Sequence, residues 1–258
     1  MRVGMVGAGR MGRPMAHRLA EAGHDVRVLG RSAPTRTALE ADGLRAVAGI
    51  ADVAAEVVVV CVFTDEQVRE VCLDGELLTH LPRGATVVVH TTGNPRTVET
   101  IAEHAAPHGI GVVDAPVSGG PHDIAAGRIT LFTGGADEDV QRVRPVLDTY
   151  GDPVLHVGPL GSGQRVKLVN NALFAAQVGL VAEAIRLGTE LGVTEAVLLD
   201  ALPHGSAASR ALTGVAGRGS VAAFARTVGD FVGKDVAVAR TVAAELGSAL
   251  GALDVASF

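Results

Sequence analysis

Lys167 and Asn171 stand four residues apart inside a stretch, about Gln164 to Leu191, that is otherwise apolar on nearly every side. Four residues apart on a helix is one face. A lysine near the start of such a helix either snorkels to water or is held in a site. In a site, desolvation lowers its pKa, and it can exchange protons near neutrality. The Asn171 amide beside it can place a polar substrate. A second group is Ser118-Gly119-Gly120. Two glycines beside a serine leave backbone N–H groups exposed, and such a nest can take a carboxylate. The chemistry these types could serve is proton transfer at a substrate oxygen. Spacing alone does not bring them together.

A third group is the turn Gly7-Ala8-Gly9-Arg10-Met11-Gly12. The apolar run Val3 to Val6 leads into it. A helical pattern follows, with Met11, Met15, Leu19 and Ala22 at helix spacing and Gly23 as a stop. In this strand–turn–helix context Gly7 allows the turn, Gly9 admits a pyrophosphate, and Gly12 lets the helix pack on the strand. The first helical N–H groups then face the phosphates. A hydride transfer between an alcohol carbon and a nicotinamide ring needs one proton donor or acceptor at the oxygen and an anchor for the rest of the substrate. Lys167, Asn171 and the Ser118 loop supply those types. The second strand, Asp25 to Leu29, ends in Gly30-Arg31-Ser32 with Thr35 and Arg36 beyond. An NAD-binding fold normally has a carboxylate there for the ribose hydroxyls. A guanidinium in its place can clamp a 2′-phosphate, so the cofactor reads as NADP(H) in preference to NAD(H).

The elements that must position these groups alternate. Strands are expected at Arg45 to Val47, Val57 to Phe63, Val87 to Val89, Ile110 to Val113, Arg128 to Thr133 and Val154 to Val157. Val57 to Phe63 has the continuous β-branched character of a central parallel strand, with Cys61 buried in it. Helices are expected at Glu66 to Val71, Arg96 to Ala106 and Asp137 to Asp148. Ligands in such sheets bind beyond the carboxyl ends of the strands, where Phe63-Thr64 and Thr91-Thr92 lie. His90, at a strand end, reads as a packed or hydrogen-bonded histidine. After Gly158 the strands stop. The long helix from about Gln164 is followed by helical stretches at Thr194 to Ala201, Ser206 to Val215, Val221 to Val232 and Asp235 to Leu246. The expected fold is therefore α/β: a Rossmann-type doubly wound, mainly parallel sheet over residues 1–160, then a smaller all-α domain over 161–258. A helix apolar on most faces is buried between domains or subunits, which predicts a homodimer or larger.

Composition narrows the function. Of 258 residues, 48% are hydrophobic, enough for a sizeable core. Aromatics are 3% with no Trp, and the formal charge is −6, so a base-stacking or basic nucleic-acid surface is not expected. The two cysteines have no metal-ligand spacing and make no disulfide framework, which fits a reducing cytoplasm. A strand at the very start leaves no room for a signal peptide, and no apolar run is expected to reach the length of a membrane span.

The residues now on the page resemble the β-hydroxyacid dehydrogenase family. The run Gly7 to Ala16 is similar to its cofactor fingerprint. Asp114 to Gly120 resembles its substrate-binding loop. Gly161-Ser162-Gly163 followed by Lys167-Leu168-Val169-Asn170-Asn171 resembles its catalytic motif, and Lys234-Asp235 its late cofactor-side motif. The resemblance implies NADP-dependent hydride transfer to or from a small β-hydroxy acid or its semialdehyde. It implies Lys167 as the general acid/base and Asn171 as the residue that places the substrate. Ser118, Gly119 and Gly120 would receive its carboxylate. Thr92 would lie near the nicotinamide, Phe63 and Thr64 along the cofactor, and Lys234 beside it, oriented by Asp235. His122 and Asp123 are the fallback proton carriers. Two departures are visible: His90 to Pro95 replaces the usual aspartate-hydrophobic-Ser-Thr run, and family members usually continue beyond Phe258 with another helix. Imine reductases are similar in architecture but usually carry Asp or Tyr at the place of Lys167. A non-catalytic module for cofactor binding or oligomerisation is the other alternative.

Overall fold

The computed structural model describes residues 1–255. Ala256 to Phe258, the last residues of the expected helical domain, lie outside them. The chain divides into two compact units, Met1–Lys167 and Leu168–Phe258.

The first unit is built on strands that apolar runs make easy to bury. These are β1 (Arg2–Val6), β2 (Asp25–Leu29), β3 (Ala46–Val47), β4 (Val57–Val60), β5 (Thr86–Val89), β6 (Gly111–Asp114), β7 (Val117–Ser118), β8 (Ile129–Gly134) and β9 (Gly151–Gly158). Their helices are α1 (Gly12–Glu21), α2 (Ala33–Ala41), α3 (Asp65–Arg69), α4 (Leu77–His80), α5 (Pro95–Ala105), α6 (Pro121–Ala125) and α7 (Asp137–Leu147). The strand order is β3-β2-β1-β4-β5-β6-β8-β7, with β9 paired to β8. The first six run parallel, and β8 turns antiparallel to β6. That is a doubly wound sheet whose order reverses between β1 and β4, where such folds take a dinucleotide. Every residue of β4 and β5 is buried. One apolar layer packs Met15, Leu19 and Leu147 on one face. The other packs Val68, Leu77, Val98 and Ile101 on the opposite face. Two covered faces are what the unbroken valine runs require.

Several boundaries differ from expectation for local reasons. Strand β4 stops at Val60, so Cys61 lies one residue past it; the chain turns because Val62 N–H donates to Thr91 Oγ1. The helix expected over Glu66 to Val71 is α3 followed by a wider turn over Glu70–Asp74. Thr64 starts it with a reciprocal cap to Gln67. The short β7 was not foreseen, since two residues leave no periodicity to read.

The helix α8 (Ser162–Glu190) begins in the first unit and continues through the division. In the second unit follow α9 (Glu195–Ala201), α10 (Arg210–Arg218), α11 (Val221–Glu245) and α12 (Ala252–Val255). The stretches expected as two helices on either side of Gly233 are one helix, α11. An interior glycine costs a helix only about 1 kcal/mol, and the buried stripe Phe224, Val228, Val232, Val236 runs past it without a break. The core of this unit joins that stripe to Ala175, Val178, Val181 and Ile185 of α8 and to Leu212 and Val215 of α10. By length and hydropathy α8 could cross a bilayer, contrary to the expectation that no apolar stretch has that reach. Its buried face in the helical core accounts for the same composition.

Candidate active site

The glycine turn fills the crevice where the strand order reverses. Gly7 has φ +96°, and a Cβ there would stand 2.2 Å from the Cys61 carbonyl oxygen. A Cβ on Gly12 would stand 1.9 Å from the Gly7 carbonyl oxygen. Both positions must be glycine for the protein to close on itself. Gly9 is different. It is exposed, its φ is not positive, and among the described residues nothing beyond its chain neighbours lies within 4 Å of its would-be Cβ. The fold does not need Gly9; a ligand close to the backbone would. Among the described residues no side chain caps the start of α1, whereas Ser32, Thr64 and Asn94 cap α2, α3 and α5. The α1 amides and dipole thus suit a pyrophosphate, and the turn fits a dinucleotide.

The other expected cofactor residues follow along the same sheet edge. Ala8, Arg10 and Met11 belong to the turn itself. Arg31 and Ser32 follow β2, Phe63 and Thr64 follow β4, and Thr92 follows β5. Arg31 is exposed, whereas Arg36 turns back to donate to the Gly30 carbonyl. Ser32 Oγ accepts from Thr35 N–H as the cap of α2. Phe63 is exposed and Thr92 buried.

Lys167 is seated by a buried polar knot. Asp114 ends β6 and is fully buried. Its two carboxylate oxygens accept from Gly161 N–H and Gln164 N–H, each at 2.7 Å, at the start of α8. Burial pushes this carboxyl up to about 6, against the lowering effect of those two donors. Gly161 takes φ +84° to make the turn. A Cβ on Gly163 would stand 2.2 Å from the Phe132 carbonyl oxygen, so only glycine lets the helix approach β8. The Gln164 side chain then reaches the loop after β5: its Oε1 accepts from Gly93 N–H at 3.0 Å and its Nε2 donates to the Thr91 carbonyl at 2.8 Å. Lys167 follows three residues on and is buried.

His90 is packed, as expected. Nδ1–H donates to the Ala115 carbonyl, so Nε2 accepts from Tyr150 OH at 2.9 Å. Burial lowers its pKa to about 4, which keeps it neutral and fixes one tautomer. It ties the loop after β5 to the chain after β6.

In the Ser118 loop Gly119 has φ +136°, and Gly120 N–H donates to Asp123 at 2.8 Å. That N–H is therefore already engaged by a carboxylate of the chain itself. His122 is exposed, 3.4 Å from Asp123.

In the helical unit Asp235, on α11, is buried. It accepts from Asn171 Nδ2 with one oxygen and from Lys234 Nζ with the other. Asn170 donates to Asn171 Oδ1. Asp235 thus fixes Asn171 as well as Lys234, a link the sequence reading did not make. Asp114 and Gln164 were also missed as holding residues. Their signals were present: an aspartate closing an apolar strand, and a glutamine in the first turn of an apolar helix.

Residues 2–158 match the model of the NAD binding domain of 6-phosphogluconate dehydrogenase. Residues 161–257 match that of the NAD-binding domain of NADP-dependent 3-hydroxyisobutyrate dehydrogenase. An uncharacterised oxidoreductase of Mycobacterium tuberculosis is 34% identical over 84% of this chain and 72% of its own. An NAD-dependent L-serine dehydrogenase of Pseudomonas aeruginosa is 33% identical over 81% of this chain and 72% of its own. The structure of Mycobacterium tuberculosis 3-hydroxyisobutyrate dehydrogenase with L-serine superposes with a TM-score of 0.86 at 26% identity, covering 98% of this chain and 90% of that one.

The glycines of the turn should separate in experiment. Gly12→Ala should lose about 3 kcal/mol of stability or fail to fold, because its Cβ meets backbone. Gly9→Ala should melt within about 0.5 kcal/mol of the parent but bind a nicotinamide dinucleotide at least about 10-fold more weakly. Thermal melts and calorimetric titrations check both. Unchanged dinucleotide affinity in Gly9→Ala would remove the ligand from the turn.

Proposed function

This chain belongs to the family of NAD(P)-dependent 3-hydroxyisobutyrate and related hydroxyacid dehydrogenases, and within it we propose an NADP-dependent enzyme acting on a small β-hydroxy acid or its semialdehyde. The observation that carries the reading is the seat of Lys167: a buried lysine on a helix start fixed through Asp114 and Gln164 to the strand-end loop of Thr91 to Gly93. When bound, the nicotinamide accepts or supplies the hydride. Lys167 takes the hydroxyl proton as the substrate carbon is oxidised and returns it to the carbonyl oxygen in the reverse direction. Ser118 and Gly119 receive the substrate carboxylate, and Gly120 joins them only if Asp123 yields its N–H. Asn171 places the substrate, and Lys234 serves the cofactor. Asp235 holds both of these side chains.

The NADP preference rests on the end of β2. No carboxylate stands there, Arg31 is exposed, and Arg36 is spent on Gly30. With Cys61 and Cys72 both free thiols, the cytoplasm is the compartment we assign.

We also propose a homodimer or larger. Beyond Lys167, the side of α8 away from the helical core carries Val169, Leu173, Leu180 and Leu187, with Leu191 just past its end, all exposed and spaced by four or seven residues. That is an apolar stripe of the kind a second copy covers.

Three outcomes are expected. Lys167→Ala should lower kcat about 10²–10⁴-fold with dinucleotide affinity nearly unchanged, and Lys167→Arg should not restore it, because guanidinium keeps its proton at neutral pH. Steady-state kinetics on small hydroxy acids and semialdehydes test this; parental turnover in Lys167→Ala would place proton transfer elsewhere. NADPH should bind about 10- to 100-fold more tightly than NADH, and Arg31→Ala should abolish the difference. Equal affinities in the parent would end the cofactor assignment. Light scattering at micromolar concentration should give a dimer or larger, and Leu180→Glu should weaken it; a monomeric parent refutes the association.

A further inference from the structure

We propose that Gln164 is a positioning residue: its side-chain amide, clamped between Gly93 N–H and the Thr91 carbonyl, sets the register of Lys167 against the loop that carries Thr92. The inference rests on the reading of Lys167 as the proton carrier.

The clamp has features that packing alone does not require. Gln164 is 1% exposed in the first turn of a mostly apolar helix. A buried carboxamide is costly unless hydrogen-bonded, and an apolar side chain of similar size would fill the space without that cost. Gln164 instead uses both ends of one planar group: Oε1 accepts from Gly93 and Nε2 donates to Thr91. Its own N–H is held by Asp114 at the end of β6. One residue therefore ties α8 to the carboxyl ends of two neighbouring strands. Lys167 is three residues further, on the same side of the helix, and buried. A shift of α8 along its axis against the β5 loop carries Lys167 with it. Misplacement by about 1 Å can cost about 10²-fold in rate.

The charged groups around the clamp are known. Asp114 faces its backbone end. Asp65 packs against Gly93, its carboxylate 1.9 Å from where a Cβ on Gly93 would stand. Arg165, next in the chain, pairs with Glu99 of α5, and Lys167 lies one turn on. His90, just before Thr91, is neutral. In Gln164→Glu a buried carboxyl close to Asp114 must titrate above the usual carboxylate range. Protonated, it restores one donor and one acceptor. Ionised, it sets an oxygen with no proton against the Thr91 carbonyl.

The test compares the parent with Gln164→Leu and Gln164→Glu by dinucleotide titration, by kcat at about pH 6 and about pH 8, and by hydrogen exchange at the Gly93 amide. Gln164→Leu should lose about 10- to 100-fold in kcat at both pH values, with dinucleotide affinity within about 3-fold. Gln164→Glu should be as slow at the higher pH and recover towards the parent at the lower. Gly93 should exchange faster than in the parent wherever kcat falls. If Gly93 is released but kcat holds, or if Gln164→Glu keeps a constant ratio to the parent across pH, Gln164 is only a packing residue and the proposal fails. Should Gln164→Leu not fold, the pH-dependent ratio of Gln164→Glu decides alone. A parent that turns over no hydroxy acid or semialdehyde overturns the functional reading, and this inference with it. An active parent matched by Gln164→Leu overturns this inference only.

Discussion

The Asp114 carboxylate is the interaction on which the site depends. It closes β6, sits out of water, and accepts from the first turn of a helix of 29 residues. Helix starts leave amides without partners and a partial positive charge, so an anion there is favourable. Burial works against it and wins: the carboxyl titrates near 6, not near 3.8. Holding it ionised at neutral pH thus costs the fold about 3 kcal/mol relative to an ordinary carboxyl. What the charge supplies is place. It fixes the start of α8 against the sheet, and the helix carries that registration forward to Lys167.

The glycines divide by the same reasoning into those the fold needs and those a ligand needs. Gly7, Gly12, Gly161 and Gly163 are enforced by neighbouring backbone or by positive φ. The first pair lets β1 and α1 meet around the crevice, and the second lets α8 meet β8. Both meetings bring helix N–H groups close to the carboxyl edge of the sheet. At the first no side chain among the described residues caps the amides, which suits phosphate. At the second they are filled by Asp114, which leaves the helix free to present Lys167. Gly9 alone among the fingerprint glycines has, among the described residues, no neighbour within 4 Å that a Cβ would meet.

How legible this was depended on whether the signal was periodic or tertiary. The sheet could be read because valine runs such as Val57 to Val60 have one stable use, a strand covered on both faces. The helical second half could be read because Gln164 to Leu191 is apolar at helix spacing. Lys167 and Asn171 could be singled out as polar exceptions on that helix. The strand β8 could be read from its apolar run, but the short β7 could not, because a two-residue strand has no period. The fusion across Gly233 could not, because an interior glycine marks a break or nothing, depending on packing elsewhere. The clamp could not either: Asp114, Gln164 and Gly93 are brought together by β5 and β6 lying side by side, and their separations of 50 and 71 residues carry no local pattern.

Two of the buried titratable groups around this clamp, His90 and Asp114, pull stability in opposite directions over one pH window. His90 has its pKa lowered from 6.5 to about 4. The unfolded chain therefore binds the proton first, and its contribution, present above 6.5, is lost as pH falls towards 4. Asp114 has its pKa raised from 3.8 to about 6. There the folded chain binds the proton first, so the fold gains as pH falls through 6 and loses as it rises. Each spans about 2 units, or about 3 kcal/mol, with opposite sign. Acid therefore uncovers the cost of His90 at the same pH at which it relieves the cost of Asp114. His90 joins the loops after β5 and β6, and Asp114 joins β6 to α8. The two titrations, in neighbouring joints, therefore offset each other in the pH dependence of stability between about pH 6 and pH 4.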